Sequence, residues 1–207
     1  QLYLSAIAWC RLEDDEILLL EVAEDFAKVA RGQLDAVQAK RTSSSLTLNS
    51  KGAIQAIDSL IAMQLDNPEH DVRLVYHTTG SAGLERLRVD QIQGVGGIDY
   101  WKDVQAGADA APLIERVMSL GISDRSKQYI RSLAPAAFVE KVVQKLIWAT
   151  GQQSSDDVRR ELDDVFIQVG AGRNVHAEDC KTAAKIAVAS VLEKSTISRA
   201  ERRLTAV

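Results

Sequence analysis

Ile17-Leu18-Leu19-Leu20-Glu21-Val22-Ala23-Glu24-Asp25, then Arg31-Gly32-Gln33, then Leu34-Asp35-Ala36-Val37-Gln38-Ala39-Lys40-Arg41, is the stretch on which the fold turns. Ile17–Ala23 is an almost continuous apolar run of strand length, as expected for a strand covered on both faces. Asp25–Ala30 continues extended, Arg31-Gly32-Gln33 supplies turn chemistry, and Leu34–Arg41 alternates like a second strand. The economical reading is an antiparallel hairpin with an acid on one arm and an amide and a lysine on the other.

On either side of it the pattern is helical. Leu2, Leu4, Ile7, Ala8 and Cys10 recur at helical spacing until Glu13-Asp14-Asp15-Glu16 ends the run. After the polar link Ser43-Ser44-Ser45, Asn49-Ser50 reads as an N-cap for Lys51–Leu65, whose Ile54, Ile57, Leu60, Ile61 and Leu65 share one face. Asn67-Pro68 stops that helix, and Val72–Thr79 has the β-branched and aromatic content of a strand. A strand, a crossover helix and another strand are the ingredients of a parallel pair in a mixed α/β sheet.

From Trp101 onward the reading is helical, over Ala111–Leu120, Ser123–Leu133, Pro135–Thr150, Ser155–Val169, Ala177–Lys194 and Ile197–Leu204. Residues 1–95 are therefore expected to form the α/β core and residues 96–207 a mainly helical region. Gly80-Ser81-Ala82-Gly83 and Gly94-Val95-Gly96-Gly97 read as turns, since neither has the Gly-Lys-Ser/Thr ending of a nucleotide P-loop.

The chain has 207 residues, 46% of them hydrophobic and 26% charged, with a net charge of -4, within the range of globular proteins. No run approaches the roughly 18 apolar residues of a membrane span, so the expectation is a cytoplasmic protein with no membrane partner. Cys10 and Cys180, far apart and without metal-ligand spacing, read as reduced core thiols. The acidic balance argues against wrapping nucleic acid through overall charge, yet basic residues concentrate at Lys40-Arg41, Arg86–Arg88, Arg125–Arg131 and Arg199–Arg203. Gln1 in place of Met and a last helical run without a Gly or Pro stop read as ends cut from a longer chain.

The hairpin also carries candidate chemistry. Hydrolysing a phosphodiester requires charge neutralisation at the phosphate and an activated water, which a magnesium ion held by carboxylates provides and a lysine assists. Asp25, Gln38 and Lys40 are the candidate catalytic set, with Asp25, Gln38 and the Ala39 carbonyl as metal ligands. Gln38 and Lys40, two apart, leave a strand on the same face. Glu21 is an expensive charge inside an apolar strand and joins the candidates. On a regular strand it stands roughly 13 Å from Asp25, so a shared metal requires a bulge. Glu24 points to the other face, where a strand-end salt bridge is the simpler role. His70, His77 and His176 form no metal-spaced pair, and Tyr100-Trp101 and Trp148 read as core aromatics.

Leu18–Ala27 with Val37–Thr42, followed by Leu46-Thr47-Leu48-Asn49-Ser50 and Val75-Tyr76-His77-Thr78-Thr79, resembles the nuclease domain of the CD-NTase-associated DNA endonucleases, a branch of the PD-(D/E)XK superfamily found in bacterial anti-phage defence. The resemblance covers roughly residues 1–87. It implies a restriction-endonuclease-like mixed sheet flanked by helices, with the strand acid matching Asp25, the acid-or-amide position Gln38 and the lysine Lys40. The family often adds an acid or Gln from the first helix, and Gln1 alone stands near that place. The resemblance further implies cleavage of double-stranded DNA with Mg2+ or Mn2+, a homo-oligomer, and activation by a cyclic-oligonucleotide sensor, a STAND-type NTPase or an SMC-like ATPase. A catalytically silent scaffold for oligomerisation or DNA binding is the competing reading.

Overall fold

The computed structural model describes residues 1–20, 25–197 and 201–206. Glu21 and Glu24 lie outside the described residues. Eight α-helices and six strands are found among those described: α1 (Leu2–Cys10), β1 (Ile17–Leu20), β2 (Phe26–Ala30), β3 (Gln33–Lys40), α2 (Lys51–Asp66), β4 (Asp71–Thr78), α3 (Gly97–Gln105), α4 (Ala111–Ser119), α5 (Asp124–Ser132), α6 (Pro135–Phe138), β5 (Leu146–Ala149), α7 (Ser155–Ala171), α8 (Ala177–Thr196) and β6 (Arg203–Thr205). The sheet is mixed, in the order β5-β4-β3-β2-β1-β6. β1 runs antiparallel to both β2 and β6, whereas β4 and β5 are parallel.

Two compact units divide the chain: residues 1–36 with 153–207, and residues 37–152. Residue 95 falls inside the second.

In the first unit, α1, α7 and α8 pack on one another, and α1 and α8 contact β1. Leu18 and Leu20 are the buried half of β1's alternation. The α7–α8 approach is close because residue 170 is glycine: a Cβ there would lie 2.2 Å from Cys180 Sγ. The Trp9 indole donates to the Thr205 carbonyl at 2.9 Å, and Arg11 pairs with Glu161 at 2.9 Å, joining α1 to β6 and α7. A reciprocal Ser154–Asp157 capping box starts α7.

In the second unit, α2 lies on β4 and β5, with Ala53, Ile57, Leu60 and Ile61 fully buried. The opposing face consists of Val72, Leu74, Tyr76, Leu146 and Trp148. Tyr76 and Trp148 are register partners with edge-on rings 5.6 Å apart, and Trp101 of α3 meets Trp148 edge-on at the same distance. Tyr100, Trp101 and Trp148 are all buried, as the core reading of them expects. Gly52 admits the Tyr76 hydroxyl, which would sit 2.1 Å from a Cβ.

Three expectations need correction. Pro135–Thr150 is not one helix: α6 ends at Phe138, a π turn follows over Val139–Val143, and Leu146–Ala149 is a strand. The helix signal at Pro135 is real, but pairing with β4 decides the last four residues. Likewise, Arg203–Thr205 is a strand on β1 rather than the end of a helix. Cys10 is an exposed thiol, and only Cys180 is buried.

Candidate active site

The hairpin forms as its sequence dictates. Arg31 (φ 38°) and Gly32 (φ 83°) both take left-handed backbone, the geometry of a two-residue turn matched to strand twist. Glycine takes it freely; Arg31 is held there with its guanidinium on Asp15. On the first arm, Lys28 Nζ donates to Glu16 Oε1 at 2.6 Å, and Glu16 Oε2 also accepts the Glu13 amide at 2.9 Å. The hydrogen bond from Lys28, then that from Glu13, holds the Glu16 carboxyl below its ordinary range, and the same contact raises Lys28.

Asp25 immediately precedes β2 and is half-buried, in the first unit. Gln38, Ala39 and Lys40 belong to the second. Gln38 follows Ala36 on the buried face of β3 and is only 7% exposed, an unusual place for an amide. Lys40 shares that face by parity and reaches solvent at the strand end, while Ala39 is half-buried. Among the described residues no carboxylate lies within 4 Å of Lys40 or Arg41.

The segment after β3 is pinned to the end of β4. Thr79 Oγ1 accepts the Thr42 amide at 3.0 Å and donates to the Thr42 carbonyl at 2.8 Å, so the chain just beyond β3 lies beside the chain just beyond β4. That juxtaposition of two strand ends belongs to parallel neighbours. Leu46 N donates to Ser81 O at 2.8 Å and Gly83 N to Leu46 O at 2.9 Å, and a Cβ on Gly80 would lie 2.3 Å from Ser44 O. The exposed serines 43–45 are thereby held at the carboxyl ends of the strands, where open α/β sheets place their ligands.

Glu85 escaped the sequence reading and organises this end of the unit. It is 2% exposed, and its Oε1 accepts the Leu48 amide at 3.1 Å. Both of its carboxylate oxygens accept the Gly97 amide, at 3.2 and 3.0 Å. A carboxylate on the first amide of α3 suits the positive helix terminus and ties α3 to the segment leading into α2. The available signal was an acid within an otherwise basic and apolar run, Leu84-Glu85-Arg86-Leu87-Arg88, after the first glycine-rich turn.

An aspartate carboxylate, an amide oxygen and a backbone carbonyl are oxygen donors of the type magnesium and manganese prefer. In ligand type Asp25, Gln38 and Ala39 fit such an ion. Among the described residues no group of three or more His, Cys, Asp and Glu side chains gathers as a metal cluster. His70 contacts Glu69, His77 lies on β4 and His176 stands at the N-terminal boundary of α8 without a side-chain capping bond, with no histidine pair among them. No helix among the described residues is long and apolar enough to cross a membrane. The chain matches no family model, no curated protein and no solved structure.

Proposed function

We propose that this chain is a metal-dependent endonuclease hydrolysing phosphodiester bonds of double-stranded DNA, on a restriction-endonuclease-like fold. The observation that carries the reading is the buried amide of Gln38 two residues before the solvent-facing Lys40 on one strand of a hairpin closed by two residues. Gln38 and Lys40, two apart on β3, leave the strand on one face.

Asp25, Gln38 and the Ala39 carbonyl would hold Mg2+ or Mn2+, which when bound supplies charge neutralisation at the phosphate and lowers the pKa of a water. Asp25 contributes the negative charge of the set. The neutral Gln38 oxygen keeps that charge low and weakens the hold on metal. The Lys40 ammonium orients the attacking water and faces the charge that builds on the phosphoryl oxygens. Glu21 remains part of the proposed set as an auxiliary acid. By the same reading the protein is a cytoplasmic homo-oligomer serving anti-phage defence, switched on by a cyclic-oligonucleotide sensor, STAND-type NTPase or SMC-like ATPase.

Plasmid nicking in Mg2+ or Mn2+ tests this directly. Asp25→Ala and Lys40→Ala should each lower cleavage by about 100-fold or more, the scale of removing a charge-stabilising catalytic group. Equal cleavage by wild type and variants would sink the assignment. The absence of a three-acid cluster among the described residues favours one competitor, a nuclease-like scaffold that binds without cutting.

A further inference from the structure

Between β4 and α3 the chain turns an unusually apolar face to water. Among the described residues nine large hydrophobic side chains are well exposed, and four of them fall in residues 84–95: Leu84 (57%), Leu87 (62%), Val89 (85%) and Val95 (39%). Concentration of that kind marks a contact surface rather than scattered exposure. Arg86 and Arg88, both exposed, alternate with these residues, and neither has a carboxylate within 4 Å among the described residues.

The segment is held in place along its length. Glu85 is clamped between the Leu48 and Gly97 amides. Gln91 Nε2 returns to the Glu85 carbonyl at 2.9 Å. Asp90 accepts from Asn49 Nδ2 at 3.0 Å and pairs with Arg116 at 3.1 Å. Ile92 and Val95 exchange backbone hydrogen bonds of 3.1 and 3.0 Å around Gln93 (φ 53°) and Gly94 (φ 83°), a second tight two-residue turn. Ala82, just before this segment, bridges to Leu46 in the loop that leaves β3.

Charge selects the occupant. Lys40, Arg41, Lys51, Arg86 and Arg88 are all exposed cations of the second unit without ion-pair partners among the described residues, so the complement is a polyanion. Proteins that enter the DNA minor groove combine Arg and Gln contacts with apolar wedges that partly unstack a base step. A wedge must be stiffer than the stack it opens, and this backbone is pinned at Glu85, Asp90, Gln91 and the Ile92–Val95 turn. We propose that Leu84–Val95 is a duplex-binding wedge: Arg86 and Arg88 seat on phosphates flanking the minor groove while Leu87 and Val89 press against a base step and bend the duplex. The inference rests on the nuclease reading in taking double-stranded DNA as the target, and not on cleavage.

The test uses the full chain in EDTA and a 30-bp duplex carrying a fluorophore at each end, read by anisotropy for affinity and by energy transfer for bending. Leu87→Ser/Val89→Ser should bind about tenfold more weakly and lose the bend, since unstacking contacts are gone. Arg86→Gln/Arg88→Gln should weaken binding and lower the salt slope by about 2, one per phosphate contact. All four side chains are exposed, and unchanged circular dichroism of both variants keeps the comparison clean. Wild type that ignores the duplex, or a serine variant that binds and bends like wild type, would overturn the wedge. So would a serine variant that loses self-association in sedimentation, or loses capture by anionic phosphatidylserine vesicles, while its DNA binding is intact. If plasmid is cut normally by the serine variant, the wedge fails and the nuclease reading stands. If wild type binds and bends the duplex yet cuts nothing in Mg2+ or Mn2+, the nuclease reading fails and the wedge stands.

Discussion

The two units carry charge very differently. Residues 37–152 hold thirteen lysines and arginines against twelve acids, whereas residues 1–36 and 153–207 hold twelve against seventeen. A net charge of -4 therefore describes neither unit: one is close to neutral and the other strongly acidic. Ion pairing does not separate them: Arg11, Lys28, Arg31, Arg160 and Lys181 of the acidic unit meet carboxylates, and so do Arg73, Lys102, Arg116, Arg125 and Lys145 of the second, whose exposed Lys40, Arg41, Lys51, Arg86 and Arg88 have no ion-pair partner among the described residues. Whole-chain charge is thus a poor guide to affinity for a polyanion, because binding responds to the field of the face presented.

Unfolding experiments probe the two units separately. The largest effect belongs in the second unit, where Trp148→Ala should cost about 3–5 kcal/mol by thermal or denaturant unfolding. Trp148→Phe should cost much less, because the buried Trp148 indole N–H has no hydrogen-bond partner among the described residues to lose. Next come the two close approaches that depend on a missing Cβ. Gly52→Ala and Gly170→Ala should each cost about 1–3 kcal/mol through overpacking. Cys180→Ala should restore most of the second loss, since Cys180 Sγ is the atom in the way; if it restores nothing, the α7–α8 packing is not as described.

Glu85→Ala should cost about 1–3 kcal/mol by orphaning the Leu48 and Gly97 amides. Hydrogen exchange should show the loss of protection concentrated at those two amides. The smallest effect is confined to the acidic unit. Glu16 has a lowered pKa, so its contribution is present above its unfolded value near 4.5 and fades as pH falls through the lower folded value. Lys28 has a raised pKa, so its share is complete below about 10.5 and is lost as pH climbs through the folded value. Glu16→Gln should therefore cost up to about 1 kcal/mol between those limits and nearly nothing in strong acid, measured by denaturant midpoints across pH.

Much of the α/β framework is legible along the chain because its determinants are local. Arg31-Gly32 announces the hairpin, Ser50 and Asn67-Pro68 bracket α2, and Val72–Thr79 has strand composition throughout. β5 and β6 are four and three residues long, too short to show a period, and each exists by pairing with a strand distant in sequence. Of the candidate site, the placement of Gln38 and Lys40 on one face of β3 follows from simple alternation. Nothing local distinguished Glu85, whose partners Leu48 and Gly97 come from segments on either side of it.

Chain order gives the β1–β6 pairing a consequence for how the protein is made. The second unit is one unbroken segment, Val37–Gln152, and holds everything its own core needs once it has left the ribosome. The first is interrupted: Ile17 must wait for Thr205 and Leu18 for Leu204. Until then one edge of β1 has its amides and carbonyls open, the kind of edge that recruits a strand from another chain. Closing so long an interval is also slow compared with local pairing. Synthesis in chain order therefore favours completion of the inserted unit first, with β1 held as a waiting template until Arg203–Thr205 closes over it.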